Sequence, residues 1–459
     1  MQRDYLGNAV TTGERPATLL AIDDFISGML AYETRAERIV AAAEADPASC
    51  AANMYAGMLC MLLEAPQAGE HAAKYLAAAE LAAPPATRRE QLNVSMLRAW
   101  VDDDIGRCLR LCDQATDEFP RDLIIVKMHQ YFEFNRGNFP EMLRAALKVA
   151  PANGDLPHLH GMMAFAYEQC HLLEQAESEA RTALAMRRNE VWAQHALAHV
   201  LLTRGRIDEG SQFLEEMRET WTGLNSFMLT HIGWHLALFY LSEGRDQEAL
   251  ELYDRHCWGV AKDYSQDQIG AISLLARFEM AGIDVGTRWQ DLADHLAARG
   301  ADTVQPFLTL QYLYGLARAG RPQAQVLLET VREYAARAPQ FCRTVWQEVA
   351  LPACEGLVAY ARGDFARAWH CLAVAIPRIL EVGGSHAQRD LFEQFLVDIA
   401  LKSGRLGLAQ QMLELRRKAD PNGVAVNTAL GSLYAKLGLS ALAEQARTRA
   451  ALTRARYCA

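Results

Sequence analysis

The sequence predicts an all-α protein in which paired helices stack into a solenoid. Alanine and leucine dominate the 459 residues, whereas the 30 glycines and 15 prolines are modest in number, and this composition favours helices. Runs of Val, Ile and Thr bounded by turn residues are scarce, so no substantial sheet is expected. The turn residues also recur at a fixed spacing, and a repeating chain grows by stacking rather than by dividing into separate domains.

Four turn residues mark the repeat. Each precedes the second helix of a pair, and each stands 34 residues after the one before: Asp103, Gly137, His171 and Gly205. Two helices in 34 residues, closed by a proline or a polar break, form the tetratricopeptide pattern. Pro120 and Pro151 supply that break in two units. Because no such unit can bury its apolar face alone, the sequence predicts a right-handed superhelix of tetratricopeptide-like helical hairpins.

The spacing loosens further along the chain. Gly244 follows Gly205 by 39 residues, which indicates a short insertion, and the 34-residue step returns between Gly404 and Gly438. These marks predict five parts: an N-terminal arm at 1–17, N-terminal helical hairpins at 18–95, core tetratricopeptide repeats with the candidate site at 96–257, an irregular insertion at 258–266, and C-terminal helical repeats with a cap at 267–459.

The charge of the chain bears on its partners. A net charge of −10 is mild for this size and argues against a nucleic-acid partner, which needs a concentrated basic surface. The most basic segment is the last helix, which is expected to be a solvated cap and carries four arginines: Arg447, Arg449, Arg454 and Arg456.

Cysteine usage and apolar runs predict the compartment. The ten cysteines are scattered without a repeated short spacing, so we expect reduced thiols rather than a disulfide framework. The N-terminus has no apolar stretch of signal-peptide length, and the apolar run at 58–63 is too short to span a bilayer. We therefore expect a soluble, cytoplasmic protein without a membrane partner.

The candidate functional surface lies at 158–235, a stretch that holds seven of the thirteen histidines. Four of them form two pairs with i, i+4 spacing: His195 with His199, and His231 with His235. This spacing places both rings of a pair on one helical face. The pairs and His160 lie in three successive first helices of hairpins, and such helices usually line the concave side of a tetratricopeptide solenoid. We therefore expect their rings to converge inside the curve.

Two tryptophans accompany the histidine pairs. Trp192 lies three residues before His195, and Trp234 lies three after His231, so each indole shares a helical face with a histidine. We expect one indole to form the wall of a pocket for a flat or cationic ligand. We expect the other to fill the core between repeats.

The string GGSHAQRD at 383–390 predicts a loop that ends at a helix N-cap. Ser385 is the capping residue, and Arg389 lies in the first turns of the helix that follows. Free amides at a helix start bind anions, so Ser385 and Arg389 are candidate ligand-binding residues in a loop that helps to close the concave pocket. A simple cap between two repeats is the alternative.

A divalent metal is the one cofactor that the histidines suggest, with four candidate ligands: His195, His199, His231 and His235. Paired histidines on a helix bind zinc at about 2.0–2.1 Å. A zincin, however, has a glutamate beside the first histidine, and that place is taken by Ala196 and by Ile232. On the first helices of the hairpins, the carboxylates nearest to the histidine pairs belong to Glu168 and Glu190. Clustered imidazoles also repel added charge, which keeps them neutral near pH 7 and able to act as acceptors or general bases.

Several segments resemble a known family. QHALAHVLLTRGRIDEG (194–210), WTGLNSFMLTHIGWHLALFYLSEG (221–244), DQIGAISLLARFEMAG (267–282) and VGGSHAQRDLF (382–392) are similar to blocks of the tetratricopeptide repeat protein 38 family, also described as StaR-like. In that family, as here, a helix with two histidines precedes an HxxWH helix. The resemblance implies an all-helical tetratricopeptide solenoid, and bacterial members of the family are associated with natural-product gene clusters.

Two functions are consistent with these patterns. The first is a binding protein whose concave groove, lined by clustered His and Trp, holds a small molecule or a peptide or protein segment. The alternative is an enzyme that acts on a small, natural-product-type intermediate and uses the histidines as general bases or metal ligands. Motifs of phosphate loops, dinucleotide-binding folds and serine hydrolases are missing from the sequence, and no residue can be assigned a catalytic role.

Overall fold

Paired helices occupy the chain from Pro16 onward. The structure is a computed structural model that describes residues 2–11 and 15–457. Within these ranges the strands are β1 (Gln2–Arg3) and β2 (Ala9–Val10), which pair antiparallel. The prediction of an all-α solenoid of helical hairpins is therefore confirmed.

The chain forms two compact units. The first contains the residues up to Leu197 together with Thr220–Met228, and the second contains Ala198–Glu219 and the residues from Leu229 onward. The boundary falls within two helices, so α11 and α13 each contribute residues to both units.

The helices of the first unit, including the first part of α11, are α1 (Pro16–Ala31), α2 (Arg38–Ala45), α3 (Cys50–Met61), α4 (Ala68–Ala82), α5 (Arg88–Val101), α6 (Ile105–Glu118), α7 (Leu123–Phe134), α8 (Phe139–Asn153), α9 (Pro157–Gln169), α10 (Leu173–Met186) and α11 (Val191–Thr203). Two 3-10 segments also belong to it wholly or in part: Thr34–Glu37 and Arg218–Thr220.

The helices of the second unit, including most of α13, are α12 (Ile207–Met217), α13 (Ser226–Glu243), α14 (Asp246–Leu252), α15 (Ser265–Met280), α16 (Arg288–Leu296), α17 (Pro306–Arg318), α18 (Gln323–Arg337), α19 (Arg343–Val345), α20 (Leu351–Ala361), α21 (Phe365–Ala375), α22 (His386–Lys402), α23 (Leu406–Ala419), α24 (Val424–Lys436) and α25 (Ser440–Tyr457). π-helical and 3-10 segments complete it: Tyr253–Cys257, Ala297–Arg299, Trp346–Ala350 and Ile376–Val382.

A left-handed residue ends the first helix of each hairpin. The four residues of the 34-residue repeat have φ of 56° at Asp103, 66° at Gly137, 57° at His171 and 65° at Gly205. At Gly137 the N–H donates to Phe134 O at 3.0 Å, while Asn138 N–H donates to Glu133 O at 2.9 Å. This pair of bonds is the Schellman motif, which favours glycine because glycine reaches positive φ without strain. The predicted repeat therefore corresponds to a repeated backbone geometry.

The same backbone geometry continues through the second unit. Positive φ recurs at the turns between first and second helices, at Gly244, Gly282, Gly320, Gly363, Gly404 and Gly438. One predicted break is wrong, because α8 continues past Pro151 to Asn153. Proline this near the C-terminal end of a helix disturbs only its last turns.

The N-terminal arm docks on α5 through buried charges. Arg89 Nη2 donates to Asp4 Oδ2 at 2.8 Å, and Arg89 Nη1 donates to Asp122 Oδ2 at 3.1 Å. All three side chains are buried, so each charge depends on its partners for compensation. Residues 12–14 of the predicted arm lie outside the described residues.

The last hairpin contacts earlier helices of the second unit. Tyr457 Oη donates to Asp208 Oδ1 at 2.7 Å, and Arg454 lies 3.4 Å from Asp246 Oδ2. Ser242 also donates to Asp420, in the turn before α24. The final helix is therefore more than the solvated cap that its arginines predict.

Two further predictions concern the cysteines and the apolar segments of the chain. The cysteines that the structure describes are free thiols, in agreement with the sequence. Among the described residues, no helix combines the length and the apolar character that crossing a membrane requires.

Candidate functional site

Side chains from three successive first helices meet in the first unit. Trp192 and His195 of α11 stack with ring centroids 4.4 Å apart, and Phe165 of α9 contacts both rings at 4.7 and 5.1 Å. Tyr32, which follows α1, stacks on Trp192 at 4.9 Å. Lys127 of α7 places its Nζ 3.5 Å from the centroid of the Tyr32 ring. We call these five residues the aromatic–lysine cluster.

The backbone around Tyr32 explains how a residue far away in sequence joins this cluster. Tyr32 ends α1 in the left-handed conformation, with φ of 57°. Its carbonyl accepts a hydrogen bond from Asn225 N–H at 2.7 Å, and Thr34 N–H donates to Gly223 O at 2.9 Å. These bonds hold the chain after α1 against the segment Thr220–Met228, and the phenol ring is thereby directed over Trp192.

Burial differs among the members of the aromatic–lysine cluster. Phe165 and His195 are buried, whereas Tyr32, Lys127 and Trp192 keep part of their surface exposed. Burial lowers the pKa of Lys127 to about 7, against the opposing effect of the Glu190 carboxylate. A substantial fraction of its amine is therefore neutral at neutral pH.

Two histidines of α9 are paired with carboxylates, and we call them the carboxylate-paired histidines. His158 Nδ1 lies 2.8 Å from Glu190 Oε2, and both side chains are buried. His160 Nδ1 lies 2.6 Å from Glu179 Oε2 on α10, and its Nε2 lies 3.1 Å from Gly154 O. His160 therefore faces the second helix of its own hairpin, although the sequence predicts that it shares a surface with the histidines of the next first helices.

The second unit holds four histidines whose rings contact one another, and we call them the histidine cluster. The centroids of His199 and His235 are 4.4 Å apart, and those of His231 and His235 are 4.9 Å apart. His386, at the start of α22, meets His199 edge to face at 5.4 Å and places Nε2 2.8 Å from Thr203 Oγ1. Rings from α11, α13 and α22 are thus brought together.

The histidine cluster is largely shielded from water. His199 and His235 have no exposed surface, whereas His231 and His386 are partly buried. Burial, with a smaller contribution from His199, lowers the pKa of His231 to about 3. His231 is therefore neutral near pH 7, as the repulsion argument from the sequence anticipates.

Trp234 is anchored behind the histidine cluster. It is 1% exposed, lies parallel to His231 with centroids 5.4 Å apart, and donates from Nε1 to Ser273 Oγ at 3.3 Å. Arg277 of α15 lies over the Trp234 ring, with its guanidinium carbon 5.4 Å from the ring centroid. Trp234 is thus the more deeply buried of the two indoles, and Trp192 is the one with accessible surface.

The GGSHAQRD loop forms the cap that the sequence predicts. Ser385 Oγ accepts from Gln388 N–H at 3.3 Å, and Gln388 Oε1 accepts from Ser385 N–H at 2.9 Å, which makes a capping box. Arg389 donates to Gly384 O. A Cβ at Gly384 would come within 2.5 Å of the Phe307 ring, so glycine is required there. Ser385 and Arg389 hydrogen-bond within their own loop, and their proposed contact with a ligand stays a prediction.

This loop is fixed to the second unit next to the histidine cluster. Arg277 Nη2 donates to Ala387 O at 2.9 Å and lies 3.9 Å from Asp390 Oδ2. Although burial raises it, the pKa of Asp390 is held well below its usual range by Arg416 and Arg277. The start of α22, and with it His386, is therefore anchored by compensated charges.

Sequence spacing does not identify several members of these clusters as site residues. Lys127, Phe165 and Tyr32 join Trp192 from other parts of the chain. His386 lies in the GGSHAQRD string, directly after the candidate residue Ser385, but was not itself a candidate. The one available signal for His386 was its place at the start of a capped helix. The remaining contacts depend on tertiary packing.

Comparison with known proteins yields similar solved structures but no family. No family model matches the chain. Solved structures to which it is similar include a human IFIT1 dimer with PPP-AAAA, at 16% identity over 83% of this chain and 86% of that chain with a TM-score of 0.41. Others are Naa15/Naa10 bound to HypK-THB, at 14% identity over 94% and 68% with a TM-score of 0.26, and the P58(IPK) TPR domain, at 13% over 79% and 92% with a TM-score of 0.23. Similarity at this level does not indicate a shared ligand.

Proposed function

We propose that this tetratricopeptide-like protein binds a small molecule on the first helices of its hairpins, with Trp192 and His195 as central contacts. The observation that carries the proposal is the aromatic–lysine cluster, to which α7, α9 and α11 each contribute a side chain. A group of contacting aromatic rings with an amine over one of them suits a small aromatic ligand.

Burial supports a small molecule over a peptide or protein segment at these rings. Phe165 and His195 are buried, and Tyr32, Lys127 and Trp192 offer only part of their surface. A docked peptide needs an extended accessible surface of roughly 800 Å² per partner in a stable interface. A small ligand needs less accessible surface, and Trp192 and Tyr32 keep part of theirs exposed.

Native mass spectrometry of the full chain tests this proposal. We expect the protein isolated under mild conditions to carry a mass that denaturation removes. Trp192→Leu and His195→Gln should each reduce that bound fraction at least about tenfold, which corresponds to about 1.4 kcal/mol of binding free energy. His160→Gln is the matched control, because His160 pairs with Glu179 and is not part of the aromatic–lysine cluster. Equal retention in all four proteins would contradict the assignment.

A second candidate function, metal-dependent or base catalysis, is favoured by the histidine cluster. One ring nitrogen from each of His199, His231 and His235 lies within 4.8 Å of the others. Bonds of about 2.0–2.1 Å to a tetrahedral zinc place ligand nitrogens about 3.3 Å apart, which falls within that limit. The predicted fourth ligand, His195, lies one turn before His199 on α11.

Cobalt binding tests this candidate, because tetrahedral Co²⁺ has a visible absorption that free Co²⁺ lacks. The apoprotein is titrated with Co²⁺, and zinc content is measured by elemental analysis after growth with added metal. We expect one ion per chain in the wild type and none in His231→Gln. His295→Gln is the control, since His295 pairs with Asp263 at the surface. Substoichiometric metal in the wild type rules out the metal version and leaves base catalysis by neutral imidazoles.

A further inference from the structure

Lys127 differs from the other lysines that lie over aromatic rings. Lys74, Lys262 and Lys402 each lie 4.5–5.5 Å from a ring centroid and each also pairs with a carboxylate, at 3.0, 2.8 and 2.6 Å. Lys127 lies closer to its ring, at 3.5 Å. Among the residues that the structure describes, none offers Lys127 a carboxylate at ion-pairing distance.

The surroundings of Lys127 favour a neutral amine beside flat rings. Tyr32 and Trp192 stack on one another, and Nζ lies over the first and 5.8 Å from the centroid of the second. A ring attracts the protonated amine, whereas burial disfavours it. Glu190 is the charged group that acts on Nζ, and it holds His158 in a buried pair. Burial lowers the pKa of Lys127 to about 7, so both protonation states are populated at neutral pH.

We propose that Lys127 forms an imine with an aromatic aldehyde whose ring lies against Tyr32 and Trp192. This proposal rests on the proposed function, because it names the chemical class of the small molecule that the aromatic–lysine cluster binds. An amine that lies over an aromatic ring and has no carboxylate at ion-pairing distance among the described residues is the kind of desolvated lysine that proteins use as a nucleophile towards carbonyl groups.

The reaction balances without an oxidant or a reductant. The lone pair of the neutral Nζ attacks the carbonyl carbon, a C–N bond forms, the C=O π bond breaks, and one of the two Nζ protons passes to the oxygen to give a carbinolamine. The hydroxyl group then takes up a second proton and leaves as water, and Nζ gives up its remaining proton, so that C=N replaces C=O. Hydrolysis reverses the same steps, and the ligand is bound covalently but reversibly.

Reductive trapping of the full chain tests the proposal. The protein is incubated at pH 7 with benzaldehyde and sodium cyanoborohydride, and benzylated lysines are quantified by peptide mass spectrometry. At this pH a lysine with a pKa of about 10.4 has less than about 0.1% neutral amine, whereas one near 7 has about half. We therefore expect Lys127 to be labelled at least about tenfold faster than Lys262, which lies over Trp258 but pairs with Asp291.

Variants and a second aldehyde separate ring recognition from amine reactivity. Lys127→Arg should remove the fast phase, and Lys262→Arg should leave it unchanged. Trp192→Leu should slow labelling of Lys127 by benzaldehyde, but not by acetaldehyde, which has no ring to stack. Equal labelling rates at Lys127 and Lys262 in the wild type would overturn the proposal without any variant. That result is independent of whether Trp192→Leu loses the co-purifying mass, so a failure here is distinguishable from a failure of the proposed function.

Discussion

Histidines in the two units are stabilised in opposite ways. In the first unit, His158 and His160 each lie within 2.8 Å of a carboxylate oxygen. In the second, His199, His231 and His235 contact one another's rings at 4.4–4.9 Å. Burial, with a smaller contribution from His199, favours the neutral form of His231. Histidines on similar helices therefore differ in their partners: carboxylates in the first unit and other imidazoles in the second.

The comparison separates residues that hold the fold from residues available to a ligand. A buried His158–Glu190 pair uses its ring nitrogen on a carboxylate of the same unit. In the histidine cluster, burial keeps His231 neutral near pH 7, and His231 keeps some exposed surface. We expect substitutions at the carboxylate-paired histidines and in the histidine cluster to act on stability, and substitutions in the aromatic–lysine cluster to act on ligand binding.

The largest effect is expected from breaking the buried pair. Glu190→Ala leaves His158 buried without its carboxylate and should lower the free energy of unfolding by about 3 kcal/mol. Glu179→Ala is the control, because its partner His160 is partly exposed and the loss should be about 1 kcal/mol or less. Urea unfolding followed by circular dichroism measures both. Equal losses would mean that burial does not distinguish the two pairs.

A smaller effect is expected from replacing one ring of the histidine cluster. His235→Ala creates a cavity beside His199 and His231 and should cost about 2 kcal/mol. His235→Phe preserves a ring in contact with both neighbours, so its cost should be about 1 kcal/mol or less. Urea midpoints of the two variants give the difference. If Phe proves as harmful as Ala, the nitrogens of His235, rather than ring packing, stabilise the second unit.

The pH dependence of stability should reflect the neutral histidine cluster. His231 has a pKa of about 3 when folded, because of burial and His199, and one of about 6.5 when unfolded. Between these values the unfolded chain binds a proton that the folded chain does not. The contribution of His231 is therefore complete above about pH 6.5 and declines as the pH falls towards 3, by about 1 kcal/mol down to pH 5 after allowance for its partial exposure.

The variant His231→Gln should flatten this part of the profile. His129 of α7, whose pKa burial lowers to about 4, contributes a slope of the same sign, so His129→Gln serves as the comparison in the first unit. Thermal unfolding between about pH 7 and pH 4 measures the three proteins. A wild-type profile that His231→Gln leaves unchanged would contradict the neutral assignment.

The smallest effect is expected at His160. His160→Gln removes a partly exposed pair with Glu179 and should cost less than about 0.5 kcal/mol. Ligand retention should also be unchanged, because the ring of His160 faces α10 rather than Trp192. Thermal unfolding and native mass spectrometry of the same sample test both statements. A lost ligand would restore His160 to the binding surface that the sequence pattern predicts.

Residue spacing in the sequence predicted the turns and ring contacts that form within a single helix or hairpin. The 34-residue step identified the left-handed turns at Gly137 and Gly205, and i, i+3 spacing placed Trp192 against His195 and Trp234 against His231. In each case the contact arises within a single helix or hairpin, whose geometry follows from hydrogen bonding between near neighbours.

Contacts between helices could not be predicted in this way. His158 and His160 are two residues apart and therefore lie on different faces of α9, but only the packing of neighbouring helices decides which face meets Glu190. Tyr32 and Lys127 meet because the chain after α1 is held by Thr220–Met228. No periodicity in the sequence reports such a pairing, and the same is true of His386 beside His199.

The most direct test of the central claim is an electron-density map of the protein isolated without added ligand. If a ligand binds at the aromatic–lysine cluster, density for non-protein atoms should lie within about 4 Å of the Trp192 indole, the distance of a van der Waals contact. This density should extend towards Lys127. A map with no density other than protein within about 4 Å of the Trp192 indole would contradict it.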